Sequence, residues 1–474
     1  MSEQPGNNND ARAVIVNVVY DDIYLGQSAR QVRTLTNADI QAFAALSGDV
    51  NPAHLDAVYA EHTLFHGVIA HGMWGGALIS TLLGTELPGP GTIYLEQNLH
   101  FVKPVRIGDT LTISATVTAK DDLKKRVTLD CKIVNQDGAA VVLGTALVIA
   151  PTERVSRPRA HLPQLKLFDG AQRQQVMLES VSQLEAVRCA VVHPCDADSL
   201  QGALEAGQRG LIVPVLVAPA AKLRQVAQAA GLDLAGIEIV DVPHSHAAAE
   251  RAVAMAAAGE VEALMKGSLH TDELMHAVLT CLALRTKRRL SHVFHFDIPM
   301  YDKALLLTDA ALNIAPTLLE KADILQNAIS LAHALKIPMP RVAILSAVET
   351  VTPKIASTID AAALCKMAQR QQITGAIVDG PLAFDNAISA DAARIKDIDS
   401  PVAGQADILL VPDLESGNML AKQLEYLAGA SSCGVVLGAK VPIALTSRAD
   451  GPASRVASAA LVKLLAHQYR KAAP

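Results

Sequence analysis

The chain has 474 residues, of which half are hydrophobic and only 3% are aromatic, and its formal net charge is −6. Its length predicts more than one domain, and a core built from aliphatic side chains favours helix-covered α/β sheets. The negative charge argues against a nucleic-acid-binding protein, and the six dispersed cysteines, without a Cys-x-x-Cys pair, indicate neither a zinc ribbon nor a disulfide scaffold.

The beginning of the chain predicts its location. Residues 1–12 are polar and lack an apolar signal core, so we interpret them as a disordered tail rather than a targeting peptide. The longest apolar run, 67–84, contains His71 and several glycines, which suit a buried helix better than a membrane span. With cysteine usage typical of a reducing compartment, these features predict a cytoplasmic protein without a membrane partner.

The sequence of residues 13–153 predicts a domain that contains helices and strands. A helix begins at Thr36 and reaches about Ser47. Alternating apolar residues predict strands at 92–102, 111–117, 126–135 and 139–149, with Asp137 and Gly138 as a hairpin turn between the last two. One such unit has unpaired sheet edges, so we expect a homodimer or a higher homo-oligomer.

The segment 47–54, Ser-Gly-Asp-Val-Asn-Pro-Ala-His, places a carboxylate and an imidazole five positions apart at a loop-to-helix junction. Pro52 suits the first turn of a helix and Asn51 suits its cap. Asp49 and His54 are then close enough to hold one water, from which the carboxylate takes a proton while the imidazole delivers one elsewhere. An ordinary turn and helix cap is the alternative interpretation of the same residues.

A second motif, Ile-Ala-His-Gly-Met-Trp-Gly-Gly at 69–76, predicts the start of a buried helix. Its first free N–H groups, including that of Gly72, suit a carbonyl or an anion. The spacing of His62, His66 and His71 assigns them no chemistry, and we interpret them as local hydrogen-bonding residues.

Together, the run Gly-Asp-x-Asn-Pro-x-His and the second motif resemble the MaoC-like (R)-specific enoyl-CoA hydratases. The resemblance implies a hot-dog fold, in which a curved antiparallel sheet wraps one long helix. It implies hydration of trans-2-enoyl-CoA to (R)-3-hydroxyacyl-CoA, with Asp49 as base, His54 as acid partner, Asn51 in support and Gly72 as backbone donor to the thioester carbonyl. A hot-dog unit that only dimerises or binds acyl groups is the alternative.

Residues 154–166 are rich in Pro and Arg and predict a linker. From 167 to 474, short buried strands alternate with Ala-rich helices, which predicts an α/β domain with mainly parallel sheets. Strands are expected at 187–192, 213–217, 237–240, 263–265, 293–296, 304–308, 342–345, 375–378, 408–411 and 434–437. We expect two lobes, one from 167–282 with 434–474 and the other from 283–433, with ligands at strand carboxyl ends.

Two stretches in this part predict anion binding. Lys266, Gly267, Ser268 and Thr271 follow a strand and open a helix, a geometry that offers backbone N–H groups to an anion. They do not have the order of a nucleotide P-loop. Later, Ser447, Arg448 and Asp450 follow an apolar strand, and an arginine fork suits phosphate.

Other polar residues follow further strands. Asp309, Asn313, Glu415, Ser416 and Asn418 either contribute to a ligand site or only cap helices and fix loops. Arg285 begins the basic run 285–289, which either meets CoA phosphates or is a solvated surface.

In this order, the motifs of 167–474 resemble the phosphate acetyltransferase and butyryltransferase family. The resemblance implies reversible acyl transfer between CoA and inorganic phosphate by direct attack of the CoA thiol, without a metal or tightly bound cofactor. Arg448 would hold the phosphoryl group and Ser447 would orient the thiol or the acyl phosphate. The acetyltransferase branch has an acidic residue where this chain has Ser454, and Asp450 lies nearer, as in the butyryltransferase branch, so the base stays open. An acyl-CoA sensor that does not catalyse is the rival interpretation.

Overall fold

The computed structural model describes residues 14–160, 170–446 and 450–474. The chain divides into two compact units, Met1–Leu167 and Phe168–Pro474. The expected tail at 1–12 and the end of the expected linker lie outside the described residues. In the described part of the chain, no helix combines the length and the apolar character needed to span a bilayer.

The first unit is a five-stranded antiparallel sheet around one buried helix, which confirms the hot-dog expectation. Its strands follow the order β2-β4-β5-β6-β3. In chain order, its elements are β1 Val14–Val16, β2 Ser28–Thr34, α1 Asn37–Ser47, α2 Pro52–Leu55, α3 Ala57–Glu61, α4 Gly72–Thr85, β3 Ile93–Phe101, β4 Thr110–Asp121, β5 Arg126–Val134, β6 Ala140–Ile149 and β7 Ser156–Pro158.

Helix α4 is the centre of this unit. Its residues Ile79, Leu82 and Leu83 are buried together with inward-facing side chains of the sheet such as Ile113 and Leu129. Burial alternates along β4 and β5 because successive side chains of a strand point to opposite faces. The apolar alternation from which these strands were predicted therefore corresponds to one buried face of the sheet.

The boundary of the first unit differs from the expectation. β7 pairs antiparallel with β1, and the Val155 N–H donates to the Asn17 side chain at 2.8 Å. The beginning of the expected linker at 154–166 therefore belongs to the hot-dog unit. Three residues give too little alternation for a strand to be recognised in the sequence.

The second unit is an α/β structure on one large sheet. Its elements are α5 Gly170–Ser180, β8 Val187–Val192, α6 Ala197–Gln208, β9 Ile212–Ala218, α7 Ala220–Ala230, β10 Glu238–Asp241, α8 Ser245–Ala257, β11 Ala263–Lys266, α9 Thr271–Thr280, β12 Ser291–Asp297, β13 Leu305–Thr308, α10 Leu318–Ala334, β14 Arg341–Leu345, α11 Ala356–Gln369, β15 Ile377–Leu382, α12 Phe384–Ile388, α13 Ala390–Ile395, β16 Ile408–Leu410, α14 Leu414–Tyr426, β17 Ser431–Leu437, β18 Ile443–Ala444 and α15 Pro452–Lys471.

The strand order is β10-β9-β8-β11-β18-β17-β12-β13-β16-β14-β15, so the strands expected for two lobes form one continuous sheet. Neighbouring strands are parallel except at the central steps β18–β17, β17–β12 and β12–β13. Because three successive steps reverse direction, the strands from β10 to β18 in this order run opposite to the strands from β13 to β15. The carboxyl ends of these two sets of strands therefore lie at opposite edges of the sheet, an edge here being the row formed by the strand ends.

Candidate active sites

The first site begins where α1 ends. Thr36 and Asp39 cap the start of α1 reciprocally, and Gly48 ends it in the left-handed region at φ 74°. The Asn51 side chain then accepts the Ala53 N–H at 3.0 Å, which caps the next helix, α2. As the sequence predicts, Asp49 lies in the loop and His54 lies in the new helix.

The hydrogen bonds of Asp49 and His54 fix their orientation. His54 Nδ1 lies 2.9 Å from the Ile69 carbonyl oxygen. A carbonyl only accepts, so Nδ1 carries the hydrogen and Nε2 is left for proton transfer. Asp49 Oδ1 accepts the Asn51 N–H at 3.2 Å, which holds the carboxylate in the turn.

His71 joins this pair. Its side chain is buried, and Nε2 donates to the Asp49 backbone oxygen at 3.0 Å. The ring centroids of His71 and His54 are 4.0 Å apart. One ligand atom from each of Asp49, His54 and His71 lies within 4.8 Å of the other two. The sequence predicted only a local hydrogen bond for His71 and did not place it beside Asp49 and His54, although it directly precedes Gly72 in the second motif.

The other two histidines behave as the sequence predicts. His62 Nδ1 bonds the Val58 carbonyl oxygen at 2.7 Å, and His66 Nδ1 bonds that of Glu61 at 3.3 Å. Both bonds are local and leave the site to His54 and His71.

A cavity of about 280 Å³ opens beside these groups. His54, His71, Gly72 and Lys103 line it, and its remaining lining includes the apolar side chains of Phe65, Trp74, Leu111, Ile133 and Val142. Gly72 is the first residue of α4, and a Cβ there would lie 3.2 Å from the Phe101 ring. The missing side chain lets the helix N-terminus, with its free N–H groups, face the cavity.

The second site lies at the carboxyl ends of β8, β11 and β18. Gly267 approaches β8 so closely that a Cβ would lie 2.5 Å from the Val192 oxygen. Ser268 Oγ donates to the His193 oxygen at 2.8 Å and accepts the Cys195 N–H at 3.2 Å. His193 has a positive φ of 53°, a strained conformation for a residue with a side chain.

Arg455 connects this edge to β18. Its buried guanidinium Nη1 donates to Thr446 Oγ1 at 3.0 Å and to the Lys266 oxygen at 3.4 Å. Burial lowers the pKa of Arg455 below its usual value. Thr446 and Lys266 are therefore joined through one guanidinium. Ser447 and Arg448 themselves lie outside the described residues.

Several polar residues of this edge were missed from the sequence. Burial is the main cause that lowers the pKa of His193, and the charge of Lys222 acts in the same direction. His193 directly follows a strand, which was an available signal. Arg455 lies within α15, where nothing in the local pattern distinguishes it.

Two other residues of this unit were named from the sequence. Thr271 is the first residue of α9, as predicted. Ser454 Oγ donates to the Ser432 oxygen at 2.7 Å.

The remaining predicted residues lie at the opposite edge. Asp309 is buried and accepts the N–H groups of His292, Ala311 and Leu312. The Asn313 amide donates to Asp309 and to the Leu290 oxygen. Ser416 donates to Asp413 and Asn418 donates to the Ala310 oxygen, while Glu415 is exposed in the first turn of α14. The contacts of Asp309, Asn313, Ser416 and Asn418 cap helices and fix loops, which is one of the two roles that the sequence suggests, and a contribution to a ligand site stays a prediction.

Arg285 lies at this same edge. It lines a cavity of about 620 Å³ together with Lys287, Arg288 and Arg289. The Arg285 guanidinium donates to the Leu279 oxygen at 2.6 Å, and Arg289 pairs with Glu320. The structure therefore separates the predicted CoA and phosphate residues into two groups.

The fold and the two sites define a class of protein in which a hot-dog unit precedes an α/β transferase-type unit. A family model described as "MaoC like domain" matches residues 25–136, and one described as "Phosphate acetyl/butaryl transferase" matches residues 244–462.

Known proteins match the second unit over nearly their whole length. A phosphate acetyltransferase of Rhizobium meliloti is 62% identical over 283 residues, which cover 60% of this chain and 90% of that protein. A phosphate butyryltransferase of Clostridium acetobutylicum is 39% identical over 291 residues, covering 61% and 97%. The crystal structure of a branched-chain phosphotransacylase from Enterococcus faecalis V583 is 31% identical with a TM-score of 0.53, covering 59% and 99%. The chain belongs to the phosphate acetyl/butyryl transferase family and carries a MaoC-like domain ahead of it.

Proposed function

We propose that the protein is a bifunctional enzyme acting on CoA thioesters. The first unit hydrates short trans-2-enoyl-CoA esters to (R)-3-hydroxyacyl-CoA. The second transfers acyl groups reversibly between CoA and inorganic phosphate. The observation that carries the first activity is the convergence of Asp49 and His54 beside a largely apolar cavity that begins at Gly72.

The geometry supports a direct hydration mechanism. Asp49 takes a proton from a water whose oxygen adds to the β carbon. His54 acts in its imidazolium form, in which Nδ1–H bonds the Ile69 oxygen and Nε2–H delivers its proton to the α carbon. The proton held by Asp49 then returns to His54 Nε2, which restores both groups. The N–H of Gly72 stabilises the negative charge that develops on the thioester oxygen. The acyl chain lies among the apolar side chains of the cavity, whose volume of about 280 Å³ suits a short chain.

The test is Asp49→Asn in the full-length protein. Loss of the base should reduce crotonyl-CoA hydration by about 100-fold or more, on the scale of one general base. Phosphate-dependent acyl transfer by the same sample should be unchanged, which reports that the chain is folded. Asp137→Asn, in the exposed hairpin turn, is the matched control and should retain hydration. Retained hydration in Asp49→Asn would eliminate the assignment.

The second activity rests on family membership and on the edge formed by Lys266, Gly267, Ser268 and Thr446. Lys266 is a buried cation at this edge and suits an anion, whereas the N–H groups of Gly267 and Ser268 donate to the Val192 and His193 oxygens. Arg448, which follows Thr446 by two positions, remains the proposed phosphoryl-binding residue, and Ser447 the residue that orients the thiol or the acyl phosphate. The choice between Asp450 and another base stays open.

The test of the second activity is release of CoA thiol from acetyl-CoA and butyryl-CoA, with and without inorganic phosphate. We expect phosphate-dependent release, and the preferred ester will identify the branch. Arg448→Ala should weaken the use of phosphate by roughly 2–5 kcal/mol, the scale for a buried charged pair. An unchanged phosphate dependence would exclude Arg448.

An acyl-CoA sensor is the second candidate for this unit. Ser454 stands where the acetyltransferase branch has an acidic residue, and its hydroxyl donates a hydrogen bond to the Ser432 oxygen. Binding of acyl-CoA without phosphate-dependent thiol release would support the sensor and contradict the transferase.

A further inference from the structure

Three side chains with metal-binding chemistry converge in the hot-dog unit. Asp49, His54 and His71 each offer one ligand atom, and these atoms lie within 4.8 Å of one another. Two imidazoles and one carboxylate form a donor set that suits Zn²⁺ and neighbouring divalent transition metals. Proton transfer in the proposed hydration needs only Asp49 and His54, so the third ligand requires a separate explanation.

The hydrogen bonds of the two histidines suit ligation. A metal-bound histidine usually donates its other ring N–H to a carbonyl or carboxylate oxygen, which fixes the tautomer and the ring. His54 Nδ1 donates to the Ile69 oxygen at 2.9 Å, and His71 Nε2 donates to the Asp49 oxygen at 3.0 Å. Each ring therefore keeps one unprotonated nitrogen, His54 Nε2 and His71 Nδ1.

His71 provides the independent observation. Its exposed fraction is only 3%, and among the described residues its Nδ1 has no hydrogen-bond partner. A buried polar atom without a partner costs free energy unless a ligand completes it. The same ring lines the cavity, and its centroid lies 4.0 Å from that of His54, so the buried ring borders the site.

We propose that Asp49, His54 and His71 bind a divalent transition-metal ion such as Zn²⁺, and that this ion blocks the hydration site reversibly. The ion occupies the Asp49 carboxylate and the His54 nitrogen that the proposed reaction needs, so metal and substrate water exclude each other. The remaining coordination positions are filled by solvent.

The experiment uses the full-length protein after removal of metals with a chelator. ZnCl₂ is titrated by calorimetry and CoCl₂ by visible absorption, while MgCl₂, whose ion prefers oxygen ligands, is the ion control. We expect saturable Zn²⁺ and Co²⁺ binding, inhibition of crotonyl-CoA hydration by Zn²⁺, and recovery on addition of EDTA. His71→Gln should raise the Kd by about tenfold or more, at least the effect of losing an outer partner of a metal ligand.

His62→Gln is the matched control, because His62 is an exposed histidine of the same unit and bonds only locally. It should bind Zn²⁺ as the wild type does. Equal Zn²⁺ affinity of the wild type and His71→Gln would overturn the proposal. Asp49→Asn provides a second ligand variant if His71→Gln does not fold, and its unchanged affinity would also overturn the proposal.

The inference rests on the proposed hydration site, but the experiment can exclude the metal site and the hydratase function independently. Calorimetry and Co²⁺ absorption do not depend on turnover. If the protein binds Zn²⁺ but does not hydrate crotonyl-CoA in metal-free buffer, only the hydratase function is excluded. Hydration without metal binding would remove the metal site alone.

Discussion

Gly267 lies at the edge formed by the carboxyl ends of β8, β11 and β18, and the geometry of this edge depends most directly on it. A Cβ there would lie 2.5 Å from the Val192 oxygen and 2.6 Å from the His193 oxygen. Both atoms belong to the backbone and cannot rotate away. Gly267→Ala should therefore lower the free energy of unfolding of the second unit by roughly 1–3 kcal/mol and displace Ser268, with loss of acyl transfer.

Calorimetric melting and the phosphate-dependent assay check this prediction, with crotonyl-CoA hydration as the internal reference. Gly84→Ala is the control, because a Cβ there meets nothing within 4 Å and the residue lies in a helix. It should be neutral or stabilising by up to about 1 kcal/mol. Full acyl transfer by Gly267→Ala would show that the close approach is dispensable.

The same residues show what local sequence can predict about a site. Asp49 and His54 are five positions apart, and one loop and one helix cap determine how near they lie. The sequence identified Gly267 as part of a turn that offers N–H groups to an anion, whereas its N–H donates to the Val192 oxygen and its role is a close approach of two backbones. His71 and Arg455 reach their sites through tertiary packing, and no spacing in the sequence encodes those contacts.

At the scale of elements, strand β12 carries two buried histidines that make stability depend on pH. Burial lowers the pKa of His292 and His295 from the ordinary value of 6.5, although Asp309 and Asp297 act in the opposite direction. The unfolded chain therefore binds more protons than the native one as pH falls below about 6.5. The free energy of unfolding should rise with pH through that window and level off above it.

The measurement is the Tm of the second unit between about pH 5.5 and about pH 7.5. His292→Gln should make the dependence shallower, because glutamine can still donate to the Leu445 oxygen but takes up no proton. His276→Gln, at an exposed position of α9, should keep the wild-type slope. An equally steep dependence in His292→Gln would contradict the prediction.

The elements also show where prediction from sequence ends. The expected strands of the second unit are present, because short apolar runs, most of them rich in β-branched side chains, are too short for helices and favour buried strands. The mainly parallel arrangement was predicted and is confirmed, but the three antiparallel steps were not, since a buried strand looks the same whichever way it runs. The antiparallel steps around β17 and β12 place Asp309 and Lys266 at opposite edges, whereas the sequence suggested comparable places.

At the scale of the whole molecule, the hot-dog sheet ends in an apolar edge. β3 is an outer strand, and Ile93, Leu95 and Phe101 on it are 56%, 39% and 51% exposed. An unpaired apolar edge strand promotes association, and homo-oligomers commonly cover such an edge with a second copy of the chain. We propose that β3 forms the dimer interface of the hot-dog unit.

The double variant Ile93→Lys and Leu95→Lys tests this interface in the full-length protein. Two charges on the edge should prevent pairing with a second copy, and the molar mass from light scattering should fall to about half. Leu123→Lys is the control, because Leu123 is 96% exposed in the turn between β4 and β5, which β6 separates from β3, and it should leave the mass unchanged. A double variant with the wild-type mass would place the interface elsewhere, since paired edge strands do not tolerate adjacent buried lysines.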